Sequence, residues 1–140
     1  MIRPVNIHGS CVALGGRGVL ILGPSGAGKS SLALDLMAMG AGLVSDDRTL
    51  LWQGGDGILA DAPDRLRGRI EARGVGILAA DPLGPVAVAL VVDLGTPEDS
   101  RLPPAREYLL LDRPLPLVLG PYSFHLAPRL RQLIAKGRVH

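Results

Sequence analysis

Aromatic side chains are scarce in this 140-residue chain: one Phe, one Trp and two Tyr make up 3% of it. With so few rings there is no stacking platform for single-stranded nucleic acid, so nucleic acid is not an expected partner. The same scarcity, beside 47% apolar residues, calls for a core of Leu, Val, Ile and Ala. Cysteine is reduced to Cys11, which excludes an internal disulfide and a cysteine zinc cluster and leaves this residue the role of a small buried apolar group. Lysine is nearly absent too: thirteen of the fifteen basic residues are Arg, and Lys29 is one of only two Lys. Arg suits planar contact with phosphate or carboxylate, yet it serves equally as a general surface cation, and the small formal charge of +2 leaves both readings open. Long hydrophobic runs are also missing. The longest strongly apolar stretch, residues 86 to 92, is too short to span a bilayer, and residues 1 to 8 lack the apolar segment of a signal peptide. One soluble, cytoplasmic domain with no membrane contact is expected.

What is present centres on residues 18 to 36. There Gly23-Pro24-Ser25-Gly26-Ala27-Gly28-Lys29-Ser30 matches the phosphate-binding loop pattern G-x-x-x-x-G-K-S/T in full. Glycines let backbone N–H groups curl round phosphate oxygens, Lys29 reaches the β- and γ-phosphates, and the Ser30 hydroxyl can hold magnesium. The apolar run Val19 to Leu22 predicts a buried strand before the loop. After it, Leu32, Ala33, Leu36 and Met37 recur at helical spacing. A strand feeding a glycine turn that opens a helix aims the positive end of that helix at an anion.

Along the chain, residues 4 to 14 have the alternation of a first strand, and Gly15 to Gly18 turn it into the loop strand as a hairpin. Gly40 is suited to end the loop helix. Residues 43 to 47 predict a short buried strand ending in Asp46 and Asp47, and residues 50–53 and 57–60 flank Gly54-Gly55-Asp56 as a second hairpin. Residues 62 to 78 read as extended structure with turns. Residues 86 to 94 predict a core strand, and 95 to 106, rich in Pro and charge, a surface loop. Residues 109 to 119, broken by Pro114 and Pro116, are expected only as edge strands. Residues 127 to 136, with Pro128 early and Gly137 after, predict a short basic helix.

Phosphoryl transfer needs the loop, a metal and a carboxylate that positions or deprotonates the attacking hydroxyl. Asp46 and Asp47 end a strand just one helix beyond the loop and can return to its mouth. Neighbours on an extended chain point to opposite sides, so the pair is expected to divide roles. If the first strand lies beside the loop strand, His8 reaches the same end and can hydrogen-bond one of them. Read alone, a His before Gly is more often a turn or core residue. His125 has no partner signal.

His8-Gly9, the loop at 23–30, Leu43-Val44-Ser45-Asp46-Asp47 and Ile70-Glu71-Ala72-Arg73-Gly74-Val75-Gly76-Ile77 stand in the order and spacing of the HPr kinase/phosphorylase catalytic domain, which the chain resembles over residues 3 to about 102. The E-x-R-G-x-G-I stretch discriminates most, since phosphate-binding loops are widespread. The resemblance implies an α/β fold, a P-loop kinase domain of the HPr kinase and PEP-carboxykinase-like type, with a mixed sheet and few helices. It implies the short form, residues 1–140 being the catalytic domain alone. It implies ATP and Mg2+ as cofactors and a serine of HPr, the small phosphocarrier of the sugar phosphotransferase system, as acceptor. Many members also run the reverse phosphorolysis.

By the same resemblance Asp46 is the general base, Asp47 and His8 its partner pair, Ser30 and Glu71 lie near magnesium, and Arg73 is the signature arginine. Arg101, in Asp99-Ser100-Arg101-Leu102, matches the arginine of the family's D-R-L-G segment. A homo-oligomer is implied, commonly a hexamer. The chain departs from the pattern at Ser31, where Glu is common, and at Leu119 to His125, which replaces the P-V-R/K-P-G-R-N segment. The residues themselves leave two rivals: a non-catalytic ATP-binding sensor, and a P-loop kinase with another acceptor.

Overall fold

The computed structural model describes residues 3–140. Its strands are β1 (Val5–His8), β2 (Ser10–Leu14), β3 (Arg17–Leu22), β4 (Gly42–Ser45), β5 (Arg48–Gly54), β6 (Gly57–Asp61), β7 (Arg69–Ala72), β8 (Gly76–Ala79), β9 (Val86–Pro97), β10 (Glu107–Leu110) and β11 (Arg113–Gly120). Two helices accompany them, α1 (Lys29–Ala38) and α2 (Leu126–Lys136), with one 3-10 turn at Asp64–Leu66. Nine strands form a mixed sheet in the order β1-β5-β6-β9-β3-β2-β4, with β11 on β9 and β10 on β11. β7 and β8 form a separate hairpin. This is the mixed α/β sheet with few helices that the sequence predicts. Among the described residues no helix is long and apolar enough to cross a membrane.

The loop strand β3 runs parallel to β9, and β9 parallel to β11. β9 is the hub: β3 takes one edge, while β6 and β11 share the other at its start and end. Its pairing with β3 shifts register, because Gly18 faces Val88 but Val19 faces Leu90. The extra residue Ala89 is a bulge, and a one-residue slip sends later side chains to the opposite face. Val88 therefore joins one core with Val91, while Leu90, Val92 and Leu94 join the other.

The first core lies between the sheet and the helices, where Leu32, Ala33 and Leu36 of α1 and Leu126, Ala127, Leu130 and Ile134 of α2 meet Val12, Val19 and Ile21. The second covers the other face with Cys11, Leu20, Val44, Leu51, Ile58 and Ala60. The buried hydrophobics are all Ala, Val, Leu and Ile apart from Cys11, whose thiol burial pushes up to about 12 and so holds uncharged.

Three expectations are corrected. Residues 4 to 14 are two strands, because the chain breaks at Gly9: β2 pairs with β3, whereas β1 crosses to β5. A Cβ at Gly9 would sit 3.0 Å from the Ile21 carbonyl oxygen, so the crossing needs glycine. The predicted loop at 95 begins only after Pro97, because β9 continues beside β11. The 109–119 segment is not all edge. Its half at Leu117–Gly120 pairs with β9 inside the sheet. Pro114 and Pro116 fit because the Leu117 N–H donates toward β10, to the Arg106 carbonyl at 2.9 Å. Residues of the other parity turn their missing N–H away from that partner.

Leu36 is fully buried between α1 and the sheet. Leu36→Ala is expected to lower the unfolding free energy by about 2–5 kcal/mol, seen as a lower urea midpoint with unchanged slope.

Candidate active site

Gly23–Gly28 join β3 to α1 as a tight turn. Gly28 precedes the helix with φ of 104°, a left-handed value that glycine tolerates, and its carbonyl accepts the Leu32 N–H at 2.9 Å. No side chain caps this end of α1, so its first N–H groups remain available to an anion. Lys29 lies nearly buried beneath the loop, its Nζ donating to the carbonyls of Gly23 at 2.8 Å and Pro24 at 3.0 Å. Burial lowers its pKa, opposed by the nearby charges of Asp47 and Asp46.

β4 ends beside the loop and delivers the two carboxylates to different settings. Asp46 is 6% exposed. Its Oδ1 accepts the hydroxyls of Ser10 and Ser30, each at 2.7 Å, and its Oδ2 accepts the Glu71 N–H at 3.0 Å. Asp47, in a left-handed turn with φ of 70°, points into solvent with its side chain 66% exposed. His8 Nε2 lies 3.3 Å from its Oδ1. The two side chains do point into different surroundings, but the left-handed turn at Asp47, and not alternation along a strand, separates them, since β4 ends at Ser45. His8 arrives by a route other than the one expected, on β1 beyond the Gly9 break, where the Gly9 N–H donates to the Asp47 carbonyl at 2.9 Å.

The cleft formed here has a volume of about 490 Å³. The loop from Ser25 to Ser31 lines it on one side, His8 and Asp47 on another, and Glu71 and Arg73 from the β7–β8 hairpin on a third. Arg101 is not among these residues. It is exposed on the loop after β9.

Sequence reasoning missed two contributors. Ser10 is fully buried, donates to Asp46 and accepts the Asp47 N–H at 3.2 Å, so one hydroxyl ties the Asp46 carboxylate to the Asp47 backbone. Its only signal was a polar residue opening an apolar strand next to His8-Gly9. Tyr122, with Pro121, closes the remaining wall. Its hydroxyl donates to Asp35 of α1 at 2.6 Å, and burial, then that bond, raise its pKa to about 12. Its signal lay in the tail that departs from the family pattern.

An uncapped helix terminus, a nearly buried lysine and a carboxylate held by the loop serine are groups of the kind that phosphoryl-transfer chemistry uses. The family model for the HPr serine kinase C-terminal domain matches residues 1–88. The HPr kinase/phosphorylase of Lactobacillus johnsonii is 46% identical over 74 residues, 52% of this chain and 23% of that protein. The one from Caldanaerobacter subterraneus is 43% identical over 94 residues, 64% of this chain and 31% of that protein. The chain thus spans roughly a quarter to a third of these curated relatives. The solved structure of the Hpr(Ser) kinase/phosphatase from Coxiella burnetii superposes with a TM-score of 0.82 at 27% identity, covering 96% of this chain and 91% of that one. With its family model matched over more than half its length and its fold shared with a solved relative, the chain belongs to the HPr serine kinase C-terminal domain family.

Proposed function

We propose that this protein is an ATP- and magnesium-dependent protein serine kinase whose acceptor is an HPr-type phosphocarrier. The observation that carries the reading is the 2.7 Å bond from Ser30 of the phosphate-binding loop to Asp46, which joins the nucleotide site to the carboxylate of the chemistry. The names of the relatives, HPr kinase/phosphorylase and Hpr(Ser) kinase/phosphatase, support the choice of acceptor.

The donor set suits magnesium. Ser30 offers a hard oxygen at the helix terminus and Glu71 a carboxylate at the cleft wall. Among the described residues no group of three His, Cys, Asp or Glu is arranged as a metal cage. Magnesium is normally held by one or two carboxylates together with substrate phosphates and water. When bound it spreads the negative charge of the β- and γ-phosphates. Glu71, at the cleft wall, is close enough in the fold to share in orienting that shell.

In this reading the triphosphate lies on the amides of Gly26 to Ser30, and Lys29 exchanges its two loop carbonyls for phosphate oxygens. The acceptor serine enters from the open side of the cleft. Asp46 takes the hydroxyl proton as the oxygen attacks the γ-phosphorus, the bond to the β-phosphate breaks and ADP leaves, and in reverse it returns the proton to the departing serine oxygen. The His8–Asp47 pair and Arg73 position the acceptor and the transferring group. A second reading of the carboxylates is favoured by exposure. Asp47 faces the cleft while Asp46 is almost wholly buried, so Asp47, backed by His8, takes the proton and Asp46 works with Ser30 on magnesium.

Incubation with ATP, magnesium and HPr, followed by mass spectrometry, is expected to yield phosphoserine on HPr. ATP binding without any HPr phosphorylation would instead identify a sensor, and phosphate on another substrate a different acceptor. Lys29→Ala is expected to weaken ATP binding by at least tenfold in calorimetry; unchanged affinity removes the loop assignment. Asp46→Asn is expected to lower kcat by about 10²–10⁴-fold with the magnesium requirement unchanged, and Asp47→Asn to cost less. The second reading predicts the larger kcat loss in Asp47→Asn and a raised magnesium requirement in Asp46→Asn.

A further inference from the structure

Of the four aromatic residues in the chain, two stand together on the segment that follows β11, Tyr122 in the cleft wall and Phe124 beside it. Tyr122 rests on the phosphate-binding loop so closely that a Cβ on Gly28 would lie 2.8 Å from both its Cβ and its Cγ. Its hydroxyl bond to Asp35 fixes the ring against α1. Phe124 meets it edge to face, with ring centroids 6.2 Å apart and planes inclined at 69°. The Phe124 ring is 83% exposed. Phe124 thus leaves a large apolar ring open to water against the Tyr122 ring of the cleft wall.

We propose that Tyr122 and Phe124 receive the nucleobase of the bound triphosphate, with the base stacked on the open aromatic surface. The inference rests on the nucleotide reading above and adds where the base lies and how it is recognised. Continuity with the cleft selects this occupant: Tyr122 lines the phosphate site and touches Gly28, so a ligand anchored on the loop and leaving the cleft over that glycine passes Tyr122 and then Phe124. The Tyr122 hydroxyl is already engaged by Asp35, and the Phe ring has no polar atom. The platform therefore stacks a base without reading its hydrogen-bonding edge. Every base has a π-face, so such sites distinguish bases by stacking strength. Purines are favoured over pyrimidines, and adenine and guanine are nearly equivalent.

The test is calorimetry of the full chain with magnesium and four probes: ATP, GTP, CTP and inorganic tripolyphosphate. ATP and GTP are expected to bind alike and more tightly than CTP or tripolyphosphate. Phe124→Ala, at an exposed position that leaves the core untouched, is expected to weaken ATP by about tenfold and leave tripolyphosphate unchanged, while Phe124→Trp restores ATP binding. Unchanged ATP affinity in Phe124→Ala, or equal losses for ATP and tripolyphosphate, overturns the base site while leaving the phosphate site standing. Failure of the unsubstituted chain to bind either ATP or tripolyphosphate overturns the nucleotide reading and this inference with it.

Discussion

A single nearly buried carboxylate organises this molecule. Asp46 draws donors from three separate parts of the fold: Ser10 at the start of β2, Ser30 in the first turn of α1, and the Glu71 N–H of the β7–β8 hairpin. An ionised carboxylate removed from water carries a large desolvation penalty unless hydrogen bonds replace its hydration. Three donors do so here, and among the described residues no buried side-chain nitrogen or oxygen is left without a partner. The donors that Asp46 requires also fix where strand, helix and hairpin converge. A hairpin that shares no strand pairing with the main sheet is nonetheless held at the cleft through this bond.

The scaffold behind it is asymmetric for a reason of packing. α1 and α2 cover one face of the sheet, and the opposite face closes over its own apolar residues without any helix. β9 serves both cores only because the bulge at Ala89 changes which of its side chains face which way. That arrangement holds β3 rigid between β2 and β9, and β3 carries the loop. The loop is thus mounted on a strand paired along both edges, with its glycines confined to the turn between β3 and α1.

Much of this was legible in the residues. The loop motif, the helix from Lys29 and the hairpin around Gly55 all follow from local chemistry, and local chemistry is what a sequence carries most directly. Asp46 and Asp47 were legible as a pair at a strand end. What separated them, burial against exposure, was not, because it depends on Ser10 and Glu71 arriving from 36 and 25 positions away. The break at Gly9 was hidden by unbroken alternation on either side of it. Pro114 and Pro116 suggested an edge, yet they occupy only the half of β11 whose second side is free, and the neighbouring half enters the sheet. Arg101 matched a family segment by sequence but stands outside the cleft in this chain, whereas Tyr122, from the segment that matched least, forms part of its wall.

The crossing at Gly9 has a mechanical meaning. The tripeptide His8-Gly9-Ser10 supplies the imidazole to Asp47 and the hydroxyl to Asp46, while the Gly9 peptide is clamped by Thr49, whose hydroxyl donates to the Gly9 carbonyl at 2.9 Å. The outward-facing and inward-facing acids therefore share one short lever with its pivot in the middle. The solvent side of the cleft and its buried anchor are thus tied to the same three residues.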